Sequence, residues 1–177
     1  MPLSTLFRKS GPPGNIHEIY RIIVERARQP RFYTDFGVPD TVDGRFEMVT
    51  LHAFLVLRRL KGASESSSDA AQALFDLMFE DMDVSLREMG AGDMGVGKRV
   101  KAMVQAFYGR IASYEAGLSG AEAGLEEALS RNVYATVEHS EASVAALARY
   151  LRAQATHMAA LDLQDVEHGK FAFGDIQ

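Results

Sequence analysis

Gly92-Asp93-Met94-Gly95-Val96-Gly97-Lys98 has the spacing of a phosphate-binding loop, with four residues between Gly92 and Gly97 and a lysine next. In such a loop backbone N–H groups cradle the phosphates, the lysine reaches their oxygens, and a following Ser or Thr hydroxyl binds Mg²⁺. Here the following residue is Arg99, and the segment before the loop has helical rather than strand periodicity. The nucleotide reading therefore lacks both its metal ligand and its strand. The same residues predict a helix–turn–helix corner whose glycines permit positive φ and close helix approach.

The other chemistry-bearing groups are similarly incomplete. Asp76, Glu80, Asp81, Asp83 and Glu88 are concentrated on one predicted helix, and Asp76 and Glu80 share a face. A di-metal bundle site would add a Glu-x-x-His pair, and none is present. The group thus predicts a solvated acidic face, with Asp83 and Arg87 as a surface ion pair. The histidines are His17, His52, His139, His157 and His168, and no two lie three or four apart. His52 sits in the most apolar segment, which predicts a hydrogen-bonded core histidine more readily than a ligand. No serine lies in a Gly-x-Ser-x-Gly elbow, so a hydrolase has no anchor. No catalytic, cofactor-binding or metal-binding set is assigned.

Composition narrows the classes further. A chain of 177 residues fits one domain with a sizeable core. It has no cysteine, which rules out disulfides, thiolate zinc sites and cysteine nucleophiles. A net charge of −5 and the lack of a continuous basic face argue against nucleic acid as a partner. No apolar run reaches membrane-spanning length, and the N-terminus is too short for a secretory h-region. The expected location is the cytoplasm.

The elements that would position these residues are all helical. Residues 1–14, with Pro12, Pro13 and two late glycines, read as a flexible lead-in. Asn15 is placed to cap a first helix carrying Ile16, Ile19, Tyr20, Ile23 and Ala27, which Pro30 terminates. Arg31 to Gly44 reads as a loop whose Phe32, Tyr33 and Phe36 pack over a core or line a groove. Phe46 to Leu60 is apolar on most sides and predicts a central helix. Gly62 suits its C-terminal cap, and Ser64 to Ser68 reads as a mobile connector.

A third helix spans about Asp69 to Met89, and a fourth begins near Asp93 or Met94 with Val96, Val100, Met103, Val104, Phe107 and Ile111 in register. Ser119 with Glu122 forms a capping-box pattern for a fifth helix, and a last long helix follows Ser140. Beyond Asp162 the signal fades. Phe171 and Phe173 lie in that tail, whose docking the pattern leaves open. The expectation is an all-α single-domain bundle of about six helices, with domain 15–162 and tail 163–177.

Lys98, Arg99, Lys101 and Arg110 lie mostly in the first turns of the fourth helix, where positive charge opposes the helix dipole. They serve an acidic partner or balance the acidic third helix; the sequence leaves both open. Eight methionines and ten phenylalanines with no tryptophan suit either an adaptable groove or a Met-containing core. Together these features favour a protein that holds another protein, with an apolar groove rimmed by the acidic and basic helices.

Three blocks resemble the ubiquinol–cytochrome c chaperone family, the assembly factors of respiratory complex III. They are Phe46-Glu47-Met48 with Leu51 to Leu60; Phe79-Glu80-Asp81 and Met89-Gly90 followed by Lys98-Arg99, Phe107-Tyr108, Tyr114-Glu115 and Gly117; and Tyr150-Leu151-Arg152. The likeness runs from about Ile16 to Ala155. It implies an all-helical, non-enzymatic assembly chaperone without a cofactor that helps newly made cytochrome b, a membrane protein, reach its complex. It also implies a small partner protein and proximity to the ribosome or membrane surface. A mitochondrial targeting extension is not evident, so a bacterial relative is expected, cytoplasmic or peripheral to the inner membrane. If the motif residues serve the client, the partner-binding set is Glu80, Asp81, Lys98, Arg99, Phe107, Tyr108 and Tyr114. The bland reading makes Phe107 and Tyr114 core. The alternative is a general helical adaptor with a different client.

Overall fold

Phe46 to Val56 form an unbroken run of buried residues, and the fold is arranged around the helix that carries them. The computed structural model describes residues 15–90, 92–120 and 122–176; the side chains of 93, 94, 122 and 123 are outside that description. The lead-in read over 1–14 also lies outside the described residues. Among them the helices are α1 (Ile16–Ala27), α2 (Arg31–Thr34), α3 (Val42–Leu60), α4 (Glu65–Glu88), α5 (Asp93–Ser119), α6 (Glu122–Val133), α7 (Glu141–Ala160) and α8 (Leu163–Glu167). The six long ones are those the periodicity predicts, and the described residues contain no strand.

The central helix α3 packs against α1, α4, α5, α6, α7 and α8. From Phe46 to Val56 it is buried on every side and almost wholly apolar, while Asp43, Arg45, Arg58 and Arg59 keep its two ends polar. Helix α4 turns at Gly90, whose φ of +86° suits a residue without Cβ, and α5 folds back along it. Phe75 meets Phe107 and Tyr108 there, and Phe79 meets Phe107 edge-on with ring centres 5.6 Å apart. Such pairs add about 0.5–1.5 kcal/mol beyond area burial.

Several local expectations need correction. Helix α3 starts at Val42 rather than Phe46, because Thr41 Oγ1 accepts from Gly44 N at 3.1 Å and caps it. The segment Ser64 to Ser68 is not a connector: Ser64 accepts from Ser67 N at 3.0 Å and caps α4. The aromatic loop contains the short helix α2, with Phe32 and Phe36 in the core. Asn15 occupies the cap position of α1 without a side-chain capping bond. Ser119 ends α5, its hydroxyl donating to Glu115.

His52 is fully buried between Phe32 and Phe173. Its Nδ1 donates to Met48 O at 2.7 Å, so Nε2 accepts from the Tyr150 hydroxyl at 2.8 Å. Arg26 Nε in turn donates to that hydroxyl at 3.0 Å. This is the core histidine that the sequence favours.

The C-terminal segment docks on the same region. Gly174 N donates to Gln154 Oε1 at 2.9 Å, Gly174 O accepts from Arg26 and Gln154, and Ala172 O accepts from His157. Gln154 is buried, and the tail's backbone satisfies its amide.

Helices α5 and α6 approach closely at Gly117, where an added Cβ would lie 2.7 Å from Leu125 Cα. Gly117→Ala is expected to force these backbones apart and cost about 1–3 kcal/mol. Thermal melting followed by circular dichroism checks this, at about 2–4 °C per kcal/mol for a chain of this size. A melting temperature equal to wild type would show that the helices separate freely.

Candidate functional site

Helix α5 is a ridge with an open concavity on each flank. The first, at the Gly90 corner, has a volume of about 830 Å³ and lies between the start of α3, the end of α4 and α5. Met89, Leu86, Phe46 and Met103 make it apolar, and Arg99 stands on its rim. Met89 and Val42 are its two exposed large apolar side chains among the described residues, at 56% and 57%.

The floor of this cleft holds a buried ion pair. Arg110 donates to both carboxylate oxygens of Glu47, the Nε contact being 2.5 Å. Glu47 is 4% exposed. Burial pushes its carboxyl above the ordinary value, and the Arg110 guanidinium opposes that rise. The bidentate geometry keeps the carboxylate paired as an ion. Next to them Tyr114 is fully buried against Phe54, and burial pushes its hydroxyl well above the usual range. Asn132, another residue lining the cleft, is the polar side chain beside that hydroxyl.

The second concavity, about 770 Å³, lies between the end of α3, the start of α4 and the C-terminal half of α5. Phe107 and Tyr108 both line it. Phe107 is completely buried in its floor, whereas Tyr108 is 59% exposed at its edge.

The structure does not bring the predicted partner-binding residues into one patch. Arg99 is on the corner cleft, and Lys98 is exposed beside it on α5. Phe107 and Tyr108 belong to the second groove, and Tyr114 is core. Glu80 is exposed on α4, while Asp81 accepts from Tyr20 of α1 at 2.7 Å. The predicted Asp83–Arg87 surface pair is present at 2.6 Å. In the basic group Lys98, Arg99 and Lys101 form no ion pair among the described residues, but Arg110 neutralises Glu47 of α3 rather than the acidic α4.

Sequence reasoning missed Glu47 as a site residue. Its signal was available: a lone carboxylate within an apolar run must find a partner once buried. The phosphate-loop spacing falls on the α4–α5 corner, preceded by a helix. Among the described residues no group of three or more His, Asp or Glu is placed to hold a metal ion, and no helix is long and apolar enough to cross a membrane.

Residues 34–173 match the family model described as ubiquinol-cytochrome C chaperone. The chain is 25% identical over 148 residues to ubiquinol-cytochrome-c reductase complex assembly factor 1 of Xenopus laevis, covering 84% of this chain and 74% of that protein. It is 25% identical over 148 residues to the Homo sapiens protein of that name, covering 84% of this chain and 50% of that protein. The chain therefore spans about half the length of its human relative. The crystal structure of the Cbp3 homolog from Brucella abortus superposes with a TM-score of 0.82 at 38% identity, covering 91% of this chain and 89% of that one.

Proposed function

The chain belongs to the ubiquinol–cytochrome c chaperone family, and from that premise we propose that it is a non-enzymatic chaperone assisting cytochrome b into respiratory complex III. Its relatives are named as complex III assembly factors, which supports the assembly role. The observation that carries the binding mode is the corner cleft: an apolar concavity beside Lys98 and Arg99, which form no ion pair among the described residues. Apolar burial supplies affinity, and Lys98 and Arg99 select an acidic edge on the client. The Glu47–Arg110 pair contributes no free charge and keeps the floor rigid. Capture takes place in the cytoplasm at the ribosome or inner-membrane surface, with a small partner protein assisting.

Lys98→Glu combined with Arg99→Glu is expected to weaken capture of cytochrome b from native membranes by about tenfold at low salt, with helical circular dichroism unchanged. The deficit shrinks as salt rises, because exposed charges are screened within about 10 Å at 0.1 M. Undiminished capture by the double variant would remove the rim from the site. A deletion strain with normal complex III and a depleted different complex would replace the client and leave the chaperone reading in place.

A further inference from the structure

The segment that follows α8 is held mainly by its main chain. Among the described residues no backbone–backbone hydrogen bond involves 171–176, so these peptide groups are open to side chains. His157 Nε2 donates to Ala172 O at 2.9 Å, and Gln154 Nε2 donates to Gly174 O at 3.1 Å and to Asp175 O at 3.4 Å. Gly174 N donates back to Gln154 Oε1 at 2.9 Å, while Arg26 and Arg31 donate to Gly174 O and Ile176 O. Side chains are read at two positions. Phe173 lies edge-on to His52 with ring centres 5.1 Å apart, and the Arg26 guanidinium stands 5.9 Å from its centroid, which selects an aromatic ring over an aliphatic chain. At Gly174 an added Cβ would lie 3.3 Å from Gln154 Nε2 and 3.5 Å from His157 Cγ, crowding the groups that hold the main chain. Phe171 packs on Phe173 within the strap, and Ala172 and Asp175 are exposed.

We propose that this slot on α1, α2 and α7 is a peptide-binding site which the chain's own tail fills in cis, and that its other occupant is a non-helical partner segment carrying an aromatic residue followed by glycine. In such sites main-chain bonds supply affinity and pockets for single side chains supply specificity. What the slot reads is a main chain, one ring and one missing Cβ, and another chain can supply all of these. The receiving groups are built into the fold: α1 and α7 both pack against α3, and Gln154 is 1% exposed. The strap is the looser member. No residue from 170 to 176 is buried, and Gly169, with φ of +68°, joins it to α8. A segment with so few buried side chains opens at lower free energy than the helices beneath it. Exposed Arg149 and Asp175 line the open concavity beside the strap and leave the charge flanking the aromatic–glycine pair unspecified. The slot shares no lining residue with the corner cleft or the second groove.

The test uses the full chain and a fluorescein-labelled peptide of residues 170–176, amidated at its C-terminus so that it adds no charge. The tethered tail competes at an effective concentration in about the millimolar range, so wild type binds this peptide weakly. Phe173→Ala in the full chain weakens the competitor and leaves the slot intact. Fluorescence anisotropy is therefore expected to show that variant binding the peptide about tenfold more tightly than wild type does. Adding Gln154→Met to it removes the amide pairing and is expected to lose about tenfold, and a Phe173→Ala peptide to lose as much. A tail with a purely structural role predicts no gain from Phe173→Ala. Gly174→Ala replaces Phe173→Ala if the latter alters the helical circular dichroism, and His157→Ala replaces Gln154→Met on the same ground. Equal affinity of the variant and wild type, equal affinity of the two peptides, or no binding to either protein overturns the proposal. So does a wild-type dimer in sedimentation that Phe173→Ala dissolves, because a second copy's tail is then the occupant. None of these readouts involves cytochrome b, so the client reading of the corner cleft stands or falls separately.

Discussion

Arg110→Met lowers the stability of the fold by about 3–5 kcal/mol, because it strands the Glu47 carboxylate without its counter-ion. Glu47 lies in the stretch of α3 that is buried on every side, and its carboxylate oxygens are both engaged by Arg110. Water reaches too little of it to replace that partner, so the variant must protonate the carboxyl or open the α3–α5 contact. The double variant Glu47→Leu/Arg110→Met is expected to recover most of the loss, because an apolar pair of similar volume has no desolvation cost to offset. Urea unfolding at neutral pH measures both, with stability read from midpoints at constant m. A single variant within about 1 kcal/mol of wild type, near the level of an exposed pair, would show that the carboxylate is solvated after all. The double variant also separates the roles of this pair: it keeps the fold but changes the cleft floor, so any loss of client capture reports on the cleft.

That pair also marks where the sequence stops being informative. Helix positions are legible because every long helix repeats an apolar stripe with its own period, and local chain chemistry sets the caps. The alternation of polar and apolar residues at 3.6 places Phe107, Ile111 and Tyr114 on one face and puts Tyr108 a step of about 100° away. The structure follows that register: Phe107 and Tyr114 are fully buried and Tyr108 is exposed. Adjacency in a sequence motif hides this difference, because the helix separates neighbours by face. The same residue types serve loops and caps, so composition alone does not separate the two; Thr41 and Ser64 act as caps.

Pairings between distant helices have no local signature. Glu47 and Arg110 are separated by 63 residues, and Arg58 and Glu115 by 57. Which cation meets which carboxylate depends on helix order and tilt. Arg110 therefore read as one of four similar basic residues, although the fold assigns it to the interior and leaves Lys98, Arg99 and Lys101 outside. This division determines which charges a partner can use.

Acid destabilises this protein well before its surface carboxylates protonate, and His52 is the cause. Burial lowers its pKa from 6.5 to about 3, with Arg26 opposing the charged form in the same direction. Phe32, Tyr150 and Phe173 enclose the ring, and Arg26 is the ionic group beside it. A second proton on Nε2 would displace the Tyr150 hydroxyl hydrogen bond and place a cation near that guanidinium. Below pH 6.5 the unfolded chain binds a proton that the native chain refuses, so stability falls as pH falls. The slope is about 1.4 kcal/mol per pH unit, and the loss levels off below the folded pKa. Glu47, with its raised carboxyl, works in the opposite direction, and carboxylates held low by arginines, such as Glu126, add losses only in more acidic solution. His52→Gln cannot titrate but offers an amide donor to Met48 and an acceptor to Tyr150. It is expected to be weaker than wild type at pH 7.5 and to lose less stability between pH 6.5 and 4.5. Urea midpoints taken at unit pH intervals decide the matter: parallel profiles for the two proteins would mean that the core accepts a charged His52.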